Sequence, residues 1–342
     1  MAGIAYFFVC AQPLPKELVL KPAWARSIAS APRAPSGRPP EGGAIPFRLG
    51  GSFGYFTAEG ELPFVAAAGF GVALSNEAFA PYERLSEGFA MRNPAGRELG
   101  RATLPGYPFF AAGRRFVIGP GQDSVSELRV DGSVAWSYDF SSIATAFGAS
   151  PSLAVFGLMD GSLVGLDPAG REVLDFSPGG SRVPCIYGVA VSPDGLLVAA
   201  ISGLDRQRLV VLEKRSSAFR VTYHRWMDSD FRRPVAMGFT ADGSRLVFEL
   251  PGAVGVYDRA ARRESALAAV SREGLGLTAR AGDLLVLLAG GGEEKRLVCA
   301  AAQDRRVVDI SFRAAETFLD VRGDSIFLGA DGTLVRMDLR EE

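Results

Sequence analysis

The side chains that most often perform catalysis are scarce in this sequence. The chain of 342 residues has a single histidine, His224, so any Ser-His-Asp or Cys-His arrangement would depend on it. The segment Thr222 to Met227 around it alternates between the two faces of a strand, as an outer strand would. We therefore interpret His224 as a surface or packing residue and predict no catalytic residues.

Metal-binding and cofactor-binding motifs are also missing from the sequence. The three cysteines, Cys10, Cys185 and Cys299, form no C-x-x-C pair, which excludes zinc sites of the usual Cys/His kind. A Cys185–Cys299 disulfide and two buried free thiols both fit the spacing, and free thiols are the commoner outcome. Asp228 and Asp230 are close together, but their segment lacks the glycine and distal glutamate of a calcium loop. No P-loop, G-x-S-x-G or metalloprotease motif occurs, so we expect neither a metal nor a cofactor.

Aromatic and arginine side chains are concentrated just around the histidine. Interfaces are enriched in Trp, Tyr and Arg because these side chains bury a large area and make directed contacts. This composition predicts an interaction surface formed by Tyr223, Trp226, Phe231, Arg232 and Arg233. A second, weaker candidate is the segment Asn76 to Arg92, which we interpret as an insertion and hence a surface loop.

The overall charge limits the class of partner. The chain has 37 basic and 38 acidic residues, a net charge of −1, and no long run of one sign. Nucleic acid is therefore not expected as a partner, because binding its backbone requires a basic stripe. We expect a monomer that binds a protein partner.

The N-terminal region differs in composition from the rest. Ala2 to Val9 is apolar but too short to span a bilayer, and Val9 and Ala11 match the small-residue positions of a signal-peptidase site before Gln12. Although a basic n-region is missing, we interpret residues 1–16 as a signal-peptide remnant and expect export to the periplasm or envelope, with a cytoplasmic location as the alternative. Residues 17–46, rich in proline and glycine, are predicted to be an extended arm or linker.

From residue 47 to residue 342 the sequence is typical of an all-β domain. Apolar runs of five to eight residues alternate with tight turns, and Asp-Gly supplies the positive φ angles that such turns need. The first turns of successive units are 38 to 48 residues apart, except for Gly60 and Gly113, which are 53 apart. Four-stranded propeller blades repeat at about 40 to 50 residues. We therefore predict a seven-bladed β-propeller, with six or eight blades also compatible.

Particular turns and strand ends carry a family resemblance. Ser192-Pro193-Asp194-Gly195, Thr240-Ala241-Asp242-Gly243 and the strand end Val256-Tyr257-Asp258 resemble the WD-repeat-like and quinoprotein-like propeller superfamily. The sequence departs from that pattern because no blade ends in Trp-Asp, none opens with Gly-His, and the tryptophan docking motifs of quinoprotein blades are missing. The resemblance therefore implies the propeller fold without a pyrroloquinoline cofactor.

The last unit has room for only three strands before Glu342. An open sheet edge would leave unpaired backbone groups, so we predict that an N-terminal segment within Ala23 to Ala29 or Phe47 to Phe56 closes the ring as the missing outer strand. Such a ring without catalytic motifs is expected to be a non-catalytic platform or scaffold for a protein partner. The alternative is a lactonase-like hydrolase or a small-ligand sensor that uses acidic residues at the central channel.

Overall fold

The structure, a computed structural model, consists of β-strands and one short 3-10 helix in the residues it describes, which are 18–84, 87–268, 275–279, 284–301 and 305–341. Within these ranges, the strands form eight antiparallel sheets, each of which is one blade. In most pairs of neighbouring blades the first strands contact one another, as expected when blades are arranged around an axis. No helix in the described part is long and apolar enough to cross a membrane.

The N-terminal half contains β1, the helix and four blades. The chain begins with β1 (Leu18–Ser27) and the 3-10 helix (Ile28–Ser30). Blade 1 contains β2 (Ile45–Leu49), β3 (Ser52–Phe56) and β4 (Phe64–Ala67), and blade 2 contains β5 (Gly71–Leu74), β6 (Phe79–Tyr82), β7 (Phe89–Arg92) and β8 (Glu98–Ala102). Blade 3 contains β9 (Tyr107–Ala111), β10 (Arg114–Ile118), β11 (Ser124–Leu128) and β12 (Val134–Asp139), and blade 4 contains β13 (Ala144–Ala149), β14 (Ala154–Leu158), β15 (Leu163–Leu166) and β16 (Glu172–Phe176).

The C-terminal half forms the other four blades. Blade 5 contains β17 (Ile186–Val191), β18 (Leu197–Ser202), β19 (Arg208–Arg215) and β20 (Ala218–Trp226), and blade 6 contains β21 (Met237–Phe239), β22 (Arg245–Leu250), β23 (Ala253–Asp258) and β24 (Arg263–Ala268). Blade 7 contains β25 (Leu275–Ala279), β26 (Leu285–Ala289), β27 (Glu294–Ala301) and β28 (Arg305–Arg313), and blade 8 contains β29 (Thr317–Arg322), β30 (Ser325–Ala330) and β31 (Thr333–Glu341) together with β1.

The ring is closed by the N-terminal strand, as predicted. β1 pairs antiparallel with β31, from Leu18 opposite Glu341 to Ser27 opposite Thr333, and supplies the fourth strand that blade 8 would otherwise lack. The closing strand overlaps the first of the two predicted segments. The second, Phe47 to Phe56, instead forms β2 and β3 of blade 1, so that alternative was wrong.

The blade count is eight, the upper value compatible with the sequence. The 53-residue gap between Gly60 and Gly113 contains the whole of blade 2, whose β5, β6 and β7 are only four residues long. Interpreting Asn76 to Arg92 as a loop insertion was therefore wrong, because the segment contains the two middle strands of this blade. Strands this short contain too few alternations to stand out from the flanking turns.

Apolar side chains between neighbouring blades form the core. One cluster joins blades 4 and 5 through residues such as Val155, Leu163 and Val198, all of them fully buried. A second is rich in aromatic rings and joins blades 3 and 4 through Phe116 and Phe156. Packing of sheet faces against each other therefore fixes the relative positions of the blades. The connections between strands lie on the two faces of the ring.

Candidate functional site

An aromatic cleft lies where the inner strands of blades 3 and 4 begin. Tyr107 and Ala144 are the first residues of β9 and β13, and Phe70 lies in the turn before β5. The cleft has a volume of about 730 Å³, within the range of small-ligand sites and side-chain-binding sites. Its lining comes from blades 2, 3 and 4, and we call it the aromatic cleft: Phe70, Tyr82, Arg84, Tyr107, Pro108, Phe109, Ile118, Gln122, Ala144, Thr145, Ala146, Phe147 and Phe156.

Three aromatic rings form one wall of the aromatic cleft. The ring centroid of Phe70 lies 5.9 Å from that of Tyr82 and 6.4 Å from that of Tyr107, and the two tyrosine rings are 6.4 Å apart. Phe70 is 47% exposed, and among the residues that the structure describes it is the only phenylalanine that is largely open to solvent. An aromatic ring held open to solvent beside two others provides apolar area that a partner can cover.

Gly71 makes this arrangement of rings feasible. It pairs with Tyr82 across β5 and β6, and a Cβ added at Gly71 would lie 2.3 Å from the Tyr82 ring carbon Cζ. Only glycine therefore allows the Tyr82 ring to lie across the start of β5. This ring position places Tyr82 next to Phe70, the residue before Gly71.

The floor of the aromatic cleft is formed by rings that pack against the core. Phe109 and Phe147 meet edge to face at 4.7 Å, and Phe147 lies 5.0 Å from the fully buried Phe156. The hydroxyl of Thr145 is 2.7 Å from the carbonyl oxygen of Ile186, so it is already used inside the protein. A bound group would therefore meet a preformed apolar surface.

The polar groups of the aromatic cleft are few and lie near its edge. Arg84 and Gln122 are exposed, and no hydrogen bond joins the hydroxyl of Tyr82 or Tyr107 to any residue in the described ranges. Burial raises the pKa of Tyr82, partly offset by the positive charge of Arg48, so this phenol stays neutral and can donate a hydrogen bond. No carboxylate is among the described lining residues, so the cleft does not supply the acids that hydrolysis by paired carboxylates would need.

The structure places the five sequence-predicted interaction residues around β20 and the loop that follows it. Tyr223 stacks on Tyr257 at 4.0 Å and donates a hydrogen bond to Glu264 at 2.6 Å. Arg233 forms two hydrogen bonds with the buried carboxylate of Glu249, at 3.0 and 2.5 Å. The polar ends of these two side chains are therefore used within the protein.

Of the other three residues, Trp226 and Phe231 are half-buried and contact arginine side chains, and Arg232 is exposed. The Trp226 ring lies 4.0 Å from the guanidinium carbon of Arg206, and Phe231 lies under Arg233 at 4.8 Å. His224 is exposed on β20, which is the outer strand of its blade as predicted. An interaction surface made of the five residues stays a prediction.

Groups that could bind metals or undergo redox chemistry are dispersed. In the described ranges, no three His, Cys, Asp or Glu side chains lie close enough together to hold a metal ion, and Asp228 and Asp230 are exposed. Cys185 and Cys299 are both free thiols, and Cys10 lies outside the described residues. Burial raises the pKa of Cys299 to about 12, which leaves it as an unreactive thiol.

Sequence reasoning missed the aromatic cleft. Its wall comes from segments far apart in the sequence, and Tyr82 lies inside the stretch that was interpreted as an insertion. One local signal was available, because Phe70-Gly71 and Gly106-Tyr107 each place an aromatic residue beside a glycine where an inner strand begins.

Comparison with known proteins agrees with this architecture. A protein of Treponema pallidum (strain Nichols), described as uncharacterized, is 30% identical over 346 residues, which covers 98% of this chain and 91% of the relative. Among solved structures, BamB from Moraxella catarrhalis superimposes with a TM-score of 0.66 at 14% identity, covering 94% of this chain and all of BamB. The computationally designed protein Ika8 gives a TM-score of 0.63 at 14% identity, covering 87% of this chain and 97% of Ika8.

These similarities confirm the resemblance to WD-repeat-like and quinoprotein-like propellers at the level of the fold. A sequence identity near 14% shows that two proteins share a fold, and it does not show that they share an activity. A family model described as "beta-propeller protein" matches residues 2–342. The chain therefore belongs to the β-propeller protein family.

Proposed function

We propose that this propeller is a non-catalytic binding platform and that the aromatic cleft docks a partner protein. The observation that supports the proposal is the exposed ring of Phe70, held between Tyr82 and Tyr107 on a floor of core phenylalanines. Aromatic and arginine side chains around a preformed apolar depression are the usual composition of the energetic centre of an interface.

The chemistry of the cleft specifies what the partner must present. An apolar side chain would fill the space between Phe70 and Phe147, because both rings lie on the cleft surface. Carbonyl or carboxylate oxygens beside it would accept hydrogen bonds from the phenols of Tyr82 and Tyr107 and pair with Arg84 at the edge. A protein segment with an apolar anchor and acidic or carbonyl neighbours meets all three requirements.

Photo-crosslinking in the organism that carries the gene tests this proposal. With benzoyl-phenylalanine in place of Phe70, we expect ultraviolet light to give one discrete crosslinked protein, identified by mass spectrometry. Adding Tyr107→Asp should reduce that product by about tenfold, because the interface would bury an unpaired charge.

A matched control comes from an exposed residue far from the cleft. Ile310, on the outer strand of blade 7, is 42% exposed, and benzoyl-phenylalanine at this position should not give the same product. Identical products from positions 70 and 310, or a position-70 product unchanged by Tyr107→Asp, would exclude docking at the cleft. A small molecule recovered instead of a protein would favour the ligand-sensor alternative.

We also propose that the platform works in the cell envelope. Two features of the sequence support this proposal. Ala2 to Val9 is apolar, and Val9 and Ala11 occupy the small-residue positions of a signal-peptidase site before Gln12. Protein purified from the envelope fraction should begin at Gln12 on N-terminal sequencing, and Ala11→Arg should leave the longer form uncleaved. An unprocessed chain found in the cytoplasm would contradict the proposal.

A further inference from the structure

The outer edge of blade 1 is only partly hydrogen-bonded. Blade 1 has three strands in the described chain, whereas the other seven blades have four, so β4 has no strand partner on its outer side. Successive residues of an antiparallel strand point their backbone groups to opposite sides, and those of Val65 and Ala67 point outward. The Val65 N–H donates to the carbonyl oxygen of Pro32 at 2.8 Å, but no hydrogen bond satisfies Ala67 N–H within the described residues.

The N-terminal arm covers this edge only in part. Its Pro32 carbonyl binds Val65, and further along the arm the Gly37 N–H donates to the Ala95 carbonyl of blade 2 at 3.2 Å. Pro35 packs so closely on Gly96 that an added Cβ there would lie 2.6 Å away. Between these attachment points a space of about 600 Å³ remains, bounded by β4, the arm and blade 2, and we call it the blade 1 groove.

The blade 1 groove combines small apolar surface with positive charge. Ala66, Ala67 and Pro81 line it above the buried rings of Phe53, Phe64 and Phe79. Its charged lining residues in the described chain are three arginines, Arg33, Arg92 and Arg97. None of these guanidinium groups is joined to a carboxylate in the described ranges, so the groove has a positive charge without a counter-charge.

We propose that the blade 1 groove binds an extended acidic segment of a partner protein. Such a segment would run along β4 and hydrogen-bond to Ala67, as in recognition by β-strand addition. Its carboxylates would pair with the three arginines, and alternate apolar side chains would lie on Ala66 and Pro81. A peptide fits better than a nucleic acid or a free phosphate, because only a peptide uses the unpaired strand edge as well as the charge.

This inference is independent of the aromatic cleft, since the two sites share no lining residue. An experiment that excludes binding at one site therefore does not exclude binding at the other. Together they would give the propeller two separate docking points on adjoining blades.

Fluorescence anisotropy with defined peptides tests the proposal. The probe is a labelled ten-residue peptide of alternating glutamate and valine, with alternating lysine and valine as the charge-reversed peptide. We expect saturable binding of the acidic peptide only. Arg33→Gln, Arg92→Gln and Arg97→Gln combined should weaken it on the order of tenfold, because three partly exposed ion pairs are lost.

A matched variant removes the same charge elsewhere. Arg26→Gln, Arg129→Gln and Arg220→Gln change three exposed arginines outside the groove and should leave the affinity unchanged. Ala67→Pro removes the outward N–H while keeping all three arginines, so it should also weaken binding. Because proline is tolerated on an edge strand, this variant should still fold. Circular dichroism confirms that each variant folds.

Two results would overturn the proposal. Binding that survives both the groove triple variant and Ala67→Pro would place the peptide elsewhere. Equal binding of an oligoglutamate, a single-stranded oligodeoxynucleotide or inorganic phosphate would mean that the arginines form a general anion site without peptide recognition.

Discussion

Replacing Trp24 by alanine is expected to lower the free energy of unfolding by about 3 kcal/mol, the range for removing a large aromatic side chain from a packed site. Trp24 lies on the closing strand β1, and its ring contacts Phe56 of blade 1 and Phe327 of blade 8 at centroid distances of 6.1 and 6.2 Å. Its indole N–H donates to the carbonyl of Ala58 at 2.8 Å. One side chain on the closing strand therefore contacts both the rest of blade 8 and the adjacent blade 1.

Urea denaturation followed by far-UV circular dichroism measures this effect without relying on tryptophan fluorescence. Arg26→Ala, an exposed change on the same strand, is the matched control and should alter stability by less than about 0.5 kcal/mol. Gly60→Ala should also destabilise, because Gly60 has φ +90° and an added Cβ would lie 2.9 Å from the indole. Equal midpoints for Trp24→Ala and Arg26→Ala would show that ring closure does not depend on this contact.

Arg114→Met is expected to cost about 3 to 5 kcal/mol of stability, because it would leave a largely buried carboxylate without its partner. The Arg114 guanidinium group donates to both carboxylate oxygens of Glu127, at 2.9 and 2.6 Å. The two side chains are 7% and 13% exposed. Arg114 also lies over the Phe116 ring at 4.9 Å, so blade 3 packs around the pair.

The double variant Arg114→Met with Glu127→Leu separates pairing from burial. Because both charges are then replaced by apolar groups, much of the lost stability should return. The exposed pair Arg101 and Glu98, with side chains 59% and 43% exposed, is the control, and Arg101→Met should change stability by less than about 1 kcal/mol. A double variant less stable than Arg114→Met alone would contradict this account.

The sequence predicted the fold class and the way the ring closes, because both depend on local signals. Asp194-Gly195 and Asp242-Gly243 are turns with positive φ at the glycine, and Asp194 and Asp242 also accept a hydrogen bond from the amide two residues on. A last unit with too few strands required an N-terminal partner. The eighth blade was harder to identify because β5 to β7 are too short to show an alternating pattern.

Neither proposed docking site could be predicted from the sequence, since each depends on contacts between distant segments. Phe70 and Tyr107 meet only because blades 2 and 3 are neighbours, and the blade 1 groove exists because β4 has no outer partner. The aromatic cluster around Tyr223 was recognised by composition. Composition cannot show that Tyr223 is stacked on Tyr257, because pairing between blades is not encoded within one segment.

The pairing of β1 with β31 determines how the ring responds to force. Leu18 lies opposite Glu341, so the two ends of the described chain leave blade 8 side by side. A pull applied through both ends would peel the two strands apart one hydrogen bond at a time, starting at this pair, rather than shearing all of them together.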